Sequence, residues 1–215
     1  MKTDPRGYIL IGAGGHARVL LDVLHCGSMT VIGAVEFQAG TKSEGSSGVK
    51  LLGDDQAVFA YAPDEVLLVN AVGSVGLTGP RVRVYDSFKE KGYSFAQVIH
   101  PSAVISGRAE LGEGVQVMAG AIIQAGAVLG ANVLVNTKAS VDHDCVVGIH
   151  AVVAPGATVC ADARIGPRAF IGAGATVIQG VEIGPDSLIA AGAVVVREIP
   201  AGVKAVGVPA KVREK

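Results

Sequence analysis

The residues best suited to proton transfer lie together in Asn136-Thr-Lys-Ala-Ser-Val-Asp-His-Asp144. His143 is the candidate general base, because an imidazole with an ordinary pKa near ~6.5 can accept a proton at neutral pH. A carboxylate bonded to one ring nitrogen would fix the tautomer and leave the other nitrogen basic. Asp144 is the first candidate for that role, and Asp142 reads rather as a turn residue. Asn136 occupies the equivalent of the Asp142 position six residues earlier.

A second constellation sits near the start. The apolar run Tyr8-Ile-Leu-Ile11 ends in Gly12-Ala-Gly-Gly-His16, followed by Ala17-Arg-Val-Leu-Leu-Asp-Val-Leu24. This reads as a buried strand, a glycine turn and a helix. Gly12, Gly14 and Gly15 let a ligand approach the backbone, and the helix N-terminus offers free N–H groups to a diphosphate. His16 can touch that diphosphate, touch an attached sugar, or cap the helix. The turn departs from the full dinucleotide spacing, so a single nucleotide or nucleotide-linked sugar fits better than a nicotinamide cofactor. The plain alternative is a tight turn with no ligand.

Both constellations need elements to hold them. From Ile105 to Val195 every sixth residue is aliphatic, as in Val135, Val141, Val147, Val153 and Val159. Two places before each stands a small or slim residue, as in Val133, Ala139, Cys145, Ala151 and Ala157. Neither a helix nor a lone strand has period six, but a hexapeptide solenoid does. Three hexapeptides close one triangular coil of eighteen residues with the aliphatic side chains inside. His143 then falls two residues after an inward valine, off the core and near a prism edge. Ala161 lies one coil above it and can aim its backbone N–H at an oxygen beside the histidine. Gly112, Gly130, Gly148, Gly166, Gly172 and Gly184 follow aliphatic positions and are expected in turns with positive φ. His150 is out of phase with His143 and reads as a surface residue.

Upstream, Val31–Val35 is a second strand ending at Glu36, and residues 38–48 form a polar, glycine-rich loop. Asp54–Tyr61 reads as helical, Glu65–Val69 as a third strand and Arg81–Lys91 as a helix. Three parallel strands with helices make a small Rossmann-like half. The expected division is therefore 1–99 for this unit and 100–215 for the prism. With 50% hydrophobic and only 4% aromatic residues, the core must be aliphatic. A net charge of −1 argues against a general nucleic-acid or membrane-surface role. No signal peptide or long apolar run is evident, and 3 cysteines without metal-type spacing fit a reduced cytoplasm.

The repeat resembles that of the hexapeptide-repeat acyltransferases, which form left-handed parallel β-helices. The domain order is similar to that of the bacterial nucleotide-sugar acetyltransferases of sialic-acid and amino-sugar pathways. Gly12–His16, Glu36 after the second strand, Gly73 after the third, Val98-Ile-His-Pro-Ser102 and Gly207-Val-Pro-Ala-Lys211 carry the likeness, together with Asn136, His143 and Asp144.

The resemblance implies an α/β Rossmann-like half followed by an all-β left-handed parallel β-helix, assembled as a homotrimer with sites between subunits. It implies transfer of acetyl from acetyl-CoA to the amine of a nucleotide-linked 4-amino-4,6-dideoxy sugar, with no metal. His143 would be the base, Asp144 its orienter and Asn136 a substrate contact. Gly12, Gly14, Gly15, His16, Glu36 and Gly73 would face the nucleotide sugar, and Ala161 and Lys211 the acetyl-CoA. Relatives using uridine nucleotides often have two acids after the second strand, whereas Glu36 here precedes Phe37. A lone carboxylate can pair with the N1–H and amino protons of guanine, or with a ribose hydroxyl. Relatives often have glycine at the place of Ala161 and histidine at that of Val152. O-acetylation and a non-catalytic sugar-nucleotide sensor are the competing readings. A zinc hydratase would need three converging histidines, which the prism lacks.

Overall fold

Residues 6–36, 48–76 and 78–213 of the 215-residue chain are described by a computed structural model. The expected loop at 38–48 lies, apart from Gly48, outside the described residues, as does Phe37. The chain runs through β1 (Gly7–Ile11), α1 (Gly15–Cys26), β2 (Val31–Glu36), β3 (Leu51–Asp54), β4 (Val66–Asn70) and α2 (Gly79–Lys89). The strands form one parallel sheet of order β3-β2-β1-β4.

Alternation along β1 sends Leu10 to the face packed by Leu20 and Leu24 of α1, and Ile9 and Ile11 to the face packed by Val84 and Phe88 of α2. Both faces are covered, so β1 and β4 read as continuous apolar runs.

Two local expectations change. The sheet has four strands, not three. Leu51–Asp54 is a short, mostly exposed edge strand with no apolar alternation to announce it. The segment expected to be helical is a 3₁₀ turn, Asp55–Ala60, whose first free N–H, that of Gln56, bonds the Asp54 carboxylate at 3.0 Å.

From Val98–Ile99 to Val194–Val195 the chain is a prism of two-residue rungs spaced six residues apart. Rungs eighteen residues apart pair in parallel, as in Val135↔Val153 and Val141↔Val159. Three walls result. The second residue of each rung points inward, and Val117, Val135, Val141, Val153 and Val159 are wholly buried. Ala139, Cys145, Ala151 and Ala157 fill the corners, so Cys145 is an interior residue as expected.

The glycine expectation fails. Gly112, Gly130, Gly148, Gly166, Gly172 and Gly184 do not have positive φ; that conformation belongs to the residue two places later, including Asn132, His150 and Arg168. These glycines instead let coils stack. A Cβ on Gly148 would lie 2.6 Å from Pro167 N and 2.9 Å from Gly166 C in the next coil. The constraint is contact between coils, not torsion.

The outward residues of the walls have different fates. On the wall carrying Gln116, Leu134 and Val152 these residues are buried, because α1 packs on them through Ala17, Leu20 and Leu24 with Met118. This is the docking wall. The second wall, starting at Val104–Ile105, leaves Val104 63% exposed. The third, starting at Glu110–Leu111, leaves Val128 and Val146 exposed.

A polar seam crosses the docking interface, centred on Asn70 at the end of β4. Asn70 Nδ2 donates to Arg81 O (2.8 Å) and Asn132 Oδ1 (3.1 Å), and its own carbonyl accepts from Gln116 Nε2 (2.8 Å) and Arg81 Nη1 (2.9 Å). Asn132 Nδ2 in turn donates to His150 Nδ1 at 3.0 Å.

His150 is thus not a surface residue. It is 5% exposed, lies edge-on to Tyr85 and has its Nε2 3.5 Å from Asp86, because α2 covers the corner on which it stands. Burial lowers its pKa. His16 Nε2 reaches Gln116 Oε1 at 2.9 Å, and burial together with the Arg81 charge lowers its pKa to about 4.

Two outcomes follow from this packing. Gly148→Ala will cost about 3 kcal/mol in denaturant unfolding, because the new Cβ meets backbone. Gly156→Ala, at positive φ with open space around it, will cost only about 1–2 kcal/mol. Equal costs would refute the coil-contact account. In acid, the unfolded chain protonates His16 near its ordinary pKa while the folded chain resists until about 4. Stability therefore falls as pH drops through that window, by about 2–3 kcal/mol for this group. His16→Asn will flatten the curve of unfolding free energy between pH 7 and 4, and parallel curves would refute the assignment.

Candidate active site

His143 stands on the corner where the chain leaves the second wall at Ser140–Val141 and enters the third at Val146–Val147. The Asp142 carboxylate accepts from His143 N at 2.8 Å and forms the turn. Asp144 has φ +59, a conformation that Asp tolerates better than most residues. That twist brings its Oδ2 to 2.8 Å from His143 Nδ1. A carboxylate accepts only, so Nδ1 carries the proton and Nε2 keeps a free lone pair. The Asp144 hydrogen bond raises the His143 pKa, with further support from the charges of Asp142 and Asp162. The side chain is 53% exposed, so the imidazole projects into open space at the corner.

Ala161 lies one coil above, as the repeat requires: Asp162 N donates to His143 O at 3.1 Å. Residue 160 is a cysteine and supplies no carboxylate or amide to the turn, so Ala161 N–H has no acceptor among the described residues. Asn136 does locally what Asp142 does, its Oδ1 accepting from Thr137 N at 2.7 Å. Its corner joins the docking wall to the second wall. Within one chain, Asn136 and His143 are therefore at opposite edges of the second wall and do not meet.

The glycine turn follows β1, which is flanked by β2 and β4. Chain order reverses there, and the crevice beyond the strand ends is where open α/β sheets bind ligands. Gly12 has φ +113, and a Cβ there would sit 3.1 Å from Ala71 C in the neighbouring loop. Gly14 is the N-cap of α1 with no side-chain cap, and nothing lies within 4 Å of an added Cβ. Glu36 ends β2, and Gly73 follows β4, where an added Cβ would lie 3.4 Å from the His16 Cβ. Gly12, Gly14, Gly15, His16, Glu36 and Gly73 thus share one sheet edge. His16 does not cap the helix; it is engaged by Gln116.

Lys211 belongs to a terminal hairpin, Lys204–Val206 with Lys211–Arg213, that extends the docking wall. No group of three or more His, Cys, Asp or Glu among the described residues is placed to hold a metal. No helix among them is long and apolar enough to cross a membrane.

Reasoning from sequence missed Asn70, Gln116, Asn132 and Arg81. Gln116 is polar where the next coils carry Leu134 and Val152, and that break in pattern is the one signal it left; Asn132 stands at a corner position that is also polar in the following coils, at His150, Arg168 and Asp186. The repeat alone does not reveal which wall is covered.

Comparison with known proteins agrees with this architecture. Residues 8–88 match the PglD N-terminal domain, and residues 162–197 match the bacterial transferase hexapeptide (six repeats). A search of curated proteins returned no match. Among solved structures, the acetyltransferase domain of PglB from Neisseria gonorrhoeae FA1090, in complex with acetyl coenzyme A, is 33% identical with a TM-score of 0.88, covering 98% of this chain and 100% of that one. PerB from Caulobacter crescentus, in complex with CoA and GDP-perosamine, is 38% identical with a TM-score of 0.88 over 100% of both chains. A histidine-to-alanine variant of GDP-perosamine N-acetyltransferase from the same organism, with the same two ligands, is 37% identical with a TM-score of 0.89, again over 100% of both. With a parallel sheet set on a hexapeptide prism and more than 30% identity over essentially its whole length, the chain belongs to the hexapeptide-repeat nucleotide-sugar N-acetyltransferases.

Proposed function

We propose that this protein moves acetyl from acetyl-CoA to the amine of a nucleotide-linked 4-amino-4,6-dideoxy sugar, with GDP-perosamine as the leading substrate. The observation that carries this is the His143–Asp144 pair, an exposed imidazole with Nδ1 tied to a carboxylate at 2.8 Å and Nε2 free. Solved relatives that hold CoA and GDP-perosamine support the same reading.

The chemistry is short. The neutral sugar amine attacks the thioester carbonyl carbon, and the carbonyl oxygen gains negative charge. Ala161 N–H, without an acceptor among the described residues, would donate to that oxygen. His143 Nε2 takes the proton that the nitrogen must lose, and the Asp144 carboxylate stabilises the imidazolium. The C–S bond breaks, the amide forms, and the CoA thiolate takes up a proton. Residues 1–99 would hold the nucleotide sugar through Gly12, Gly14, Gly15, His16, Glu36 and Gly73, and residues 100–215 would hold acetyl-CoA, with Lys211 toward its phosphates. Acetyl-CoA as donor fits a cytoplasmic setting.

One chain does not supply a whole site in this reading. The nucleotide edge rides on the docking wall, and His143 is on the corner opposite that wall. We infer a homotrimer in which His143 of one subunit faces the nucleotide edge of another, where Asn136 can also approach. The exposed aliphatic side chains Val104 and Ile122 of the second wall suit such packing.

His143→Ala will lower kcat by about 10²–10⁴ in a thiol-release assay with acetyl-CoA and GDP-perosamine. Undiminished turnover removes the histidine from the mechanism. In the native protein kcat/KM should fall as pH drops through a value above the ordinary histidine pKa. Asp144→Asn should move that acid limb to lower pH, because the group raising the pKa is gone. Coexpressing His143→Ala with Gly14→Phe, which fills the open nucleotide approach, will restore part of the activity that each variant lacks alone. Mixtures as inactive as their parents would mean that each chain carries its own complete site.

A further inference from the structure

The orientation of one amide from the prism decides what His16 can recognise. Gln116 projects from the docking wall and is 0% exposed. Its Nε2 lies 2.8 Å from the Asn70 carbonyl, which accepts only, so the amide nitrogen must face Asn70 and Oε1 must face His16. The 2.9 Å contact between Gln116 Oε1 and His16 Nε2 then requires a proton on Nε2. A neutral imidazole with Nε2–H has a bare lone pair on Nδ1. That nitrogen makes no hydrogen bond among the described residues. The ring is partly exposed and lies between the glycine turn and Gly73. The burial and the Arg81 charge that hold its pKa near 4 keep it neutral at working pH.

We propose that His16 selects a hydrogen-bond donor on the sugar, a hydroxyl or the amine, and does not hold the diphosphate, and that Gln116 is the positioning residue which imposes this by fixing the tautomer. Diphosphate oxygens at neutral pH are acceptors and have nothing to offer Nδ1. The phosphates are left to the backbone N–H groups of the glycine turn and helix α1. This rests on the reading of the sheet edge as the nucleotide-sugar site. It adds a residue of the prism, Gln116, to the selection of a ligand bound mainly by the other unit.

Asparagine and glutamine separate the two ring nitrogens. Asn at position 16 places its oxygen near the site of Nδ1, whereas Gln reaches the site of Nε2. Calorimetric titration of the full-length protein with GDP and with GDP-perosamine tests the proposal. GDP affinity should stay within about twofold in His16→Asn, His16→Gln and Gln116→Met. GDP-perosamine affinity should be largely kept in His16→Asn and fall about five- to tenfold in His16→Gln and Gln116→Met, the size expected for one lost hydrogen bond. Long-range ¹H–¹⁵N spectra should show His16 neutral and protonated on Nε2. A parallel loss of GDP affinity, equal effects of Asn and Gln, or a proton on Nδ1 would overturn the proposal. Binding of neither probe by the unaltered protein would instead refute the substrate reading on which it rests.

Discussion

Everything in the prism is subject to one spacing, the approach of each coil to the next at β-sheet distance. At the corner leaving the third wall the backbones stack with no room for a side chain, and Gly112, Gly130, Gly148, Gly166 and Gly184 mark it, whereas the other corners carry residues such as Asn136 and Asp142. Once corners are fixed, inward positions must be aliphatic or small and wall positions must suit whatever covers the wall. The corner tips are left free to vary. The residue before each positive-φ position stands at a corner tip, and His143, exposed, and Ala161, buried, occupy that place in successive coils. A repeat whose interior is filled by packing thus leaves room for chemistry at regular intervals along its edges.

Docking the sheet on one wall breaks the equivalence of the three corners. The wall under α1 loses its solvent, and its polar groups then need partners. Asn70 supplies most of them, joining Arg81 on its own side to Gln116 and Asn132 on the other. Arg81 is fully buried, with Nε and Nη2 unpartnered among the described residues, and desolvation lowers its pKa to about 9. The seam fixes the position of the glycine turn relative to the prism, because His16 immediately follows that turn and is bonded to Gln116. Lys89 and the backbone of Phe95 both bond Glu113, which pins the far end of α2 to the same wall.

The parts of the chain legible in sequence are those governed by a period. The sixfold pattern located the rungs, the interior, the corner of His143 and the coil relation to Ala161. The turn after Tyr8-Ile-Leu-Ile11 located the sheet edge. What escaped has no period. β3 is a short edge strand whose exposed Leu51 gives no alternation. The role of the stacking glycines is not legible because a glycine near a turn serves torsion or close approach equally well, and only the neighbouring coil distinguishes them. The burial of His150 is not legible because sequence does not say which corner α2 covers. The family likeness joins Asn136 to His143, yet the step of seven residues from one to the other spans one full wall in this fold.

The two histidines of the coil region show how far the corner, and not the residue type, determines chemistry. His143 and His150 are seven residues apart on successive corners. At His143 the corner faces solvent, Asp144 bonds Nδ1 directly, and the pKa moves up. At His150 the corner is closed by Tyr85 and Asp86, an amide donates to Nδ1, and desolvation outweighs the distant carboxylate, so the pKa moves down. An amide donating to Nδ1 places the proton on Nε2, whereas a carboxylate accepting from Nδ1 frees Nε2. The first arrangement makes a neutral strut between units; the second makes a base. The difference traces to α2 covering one corner and leaving the other open, so the docking that sets the sheet on the prism also decides which histidine stays exposed.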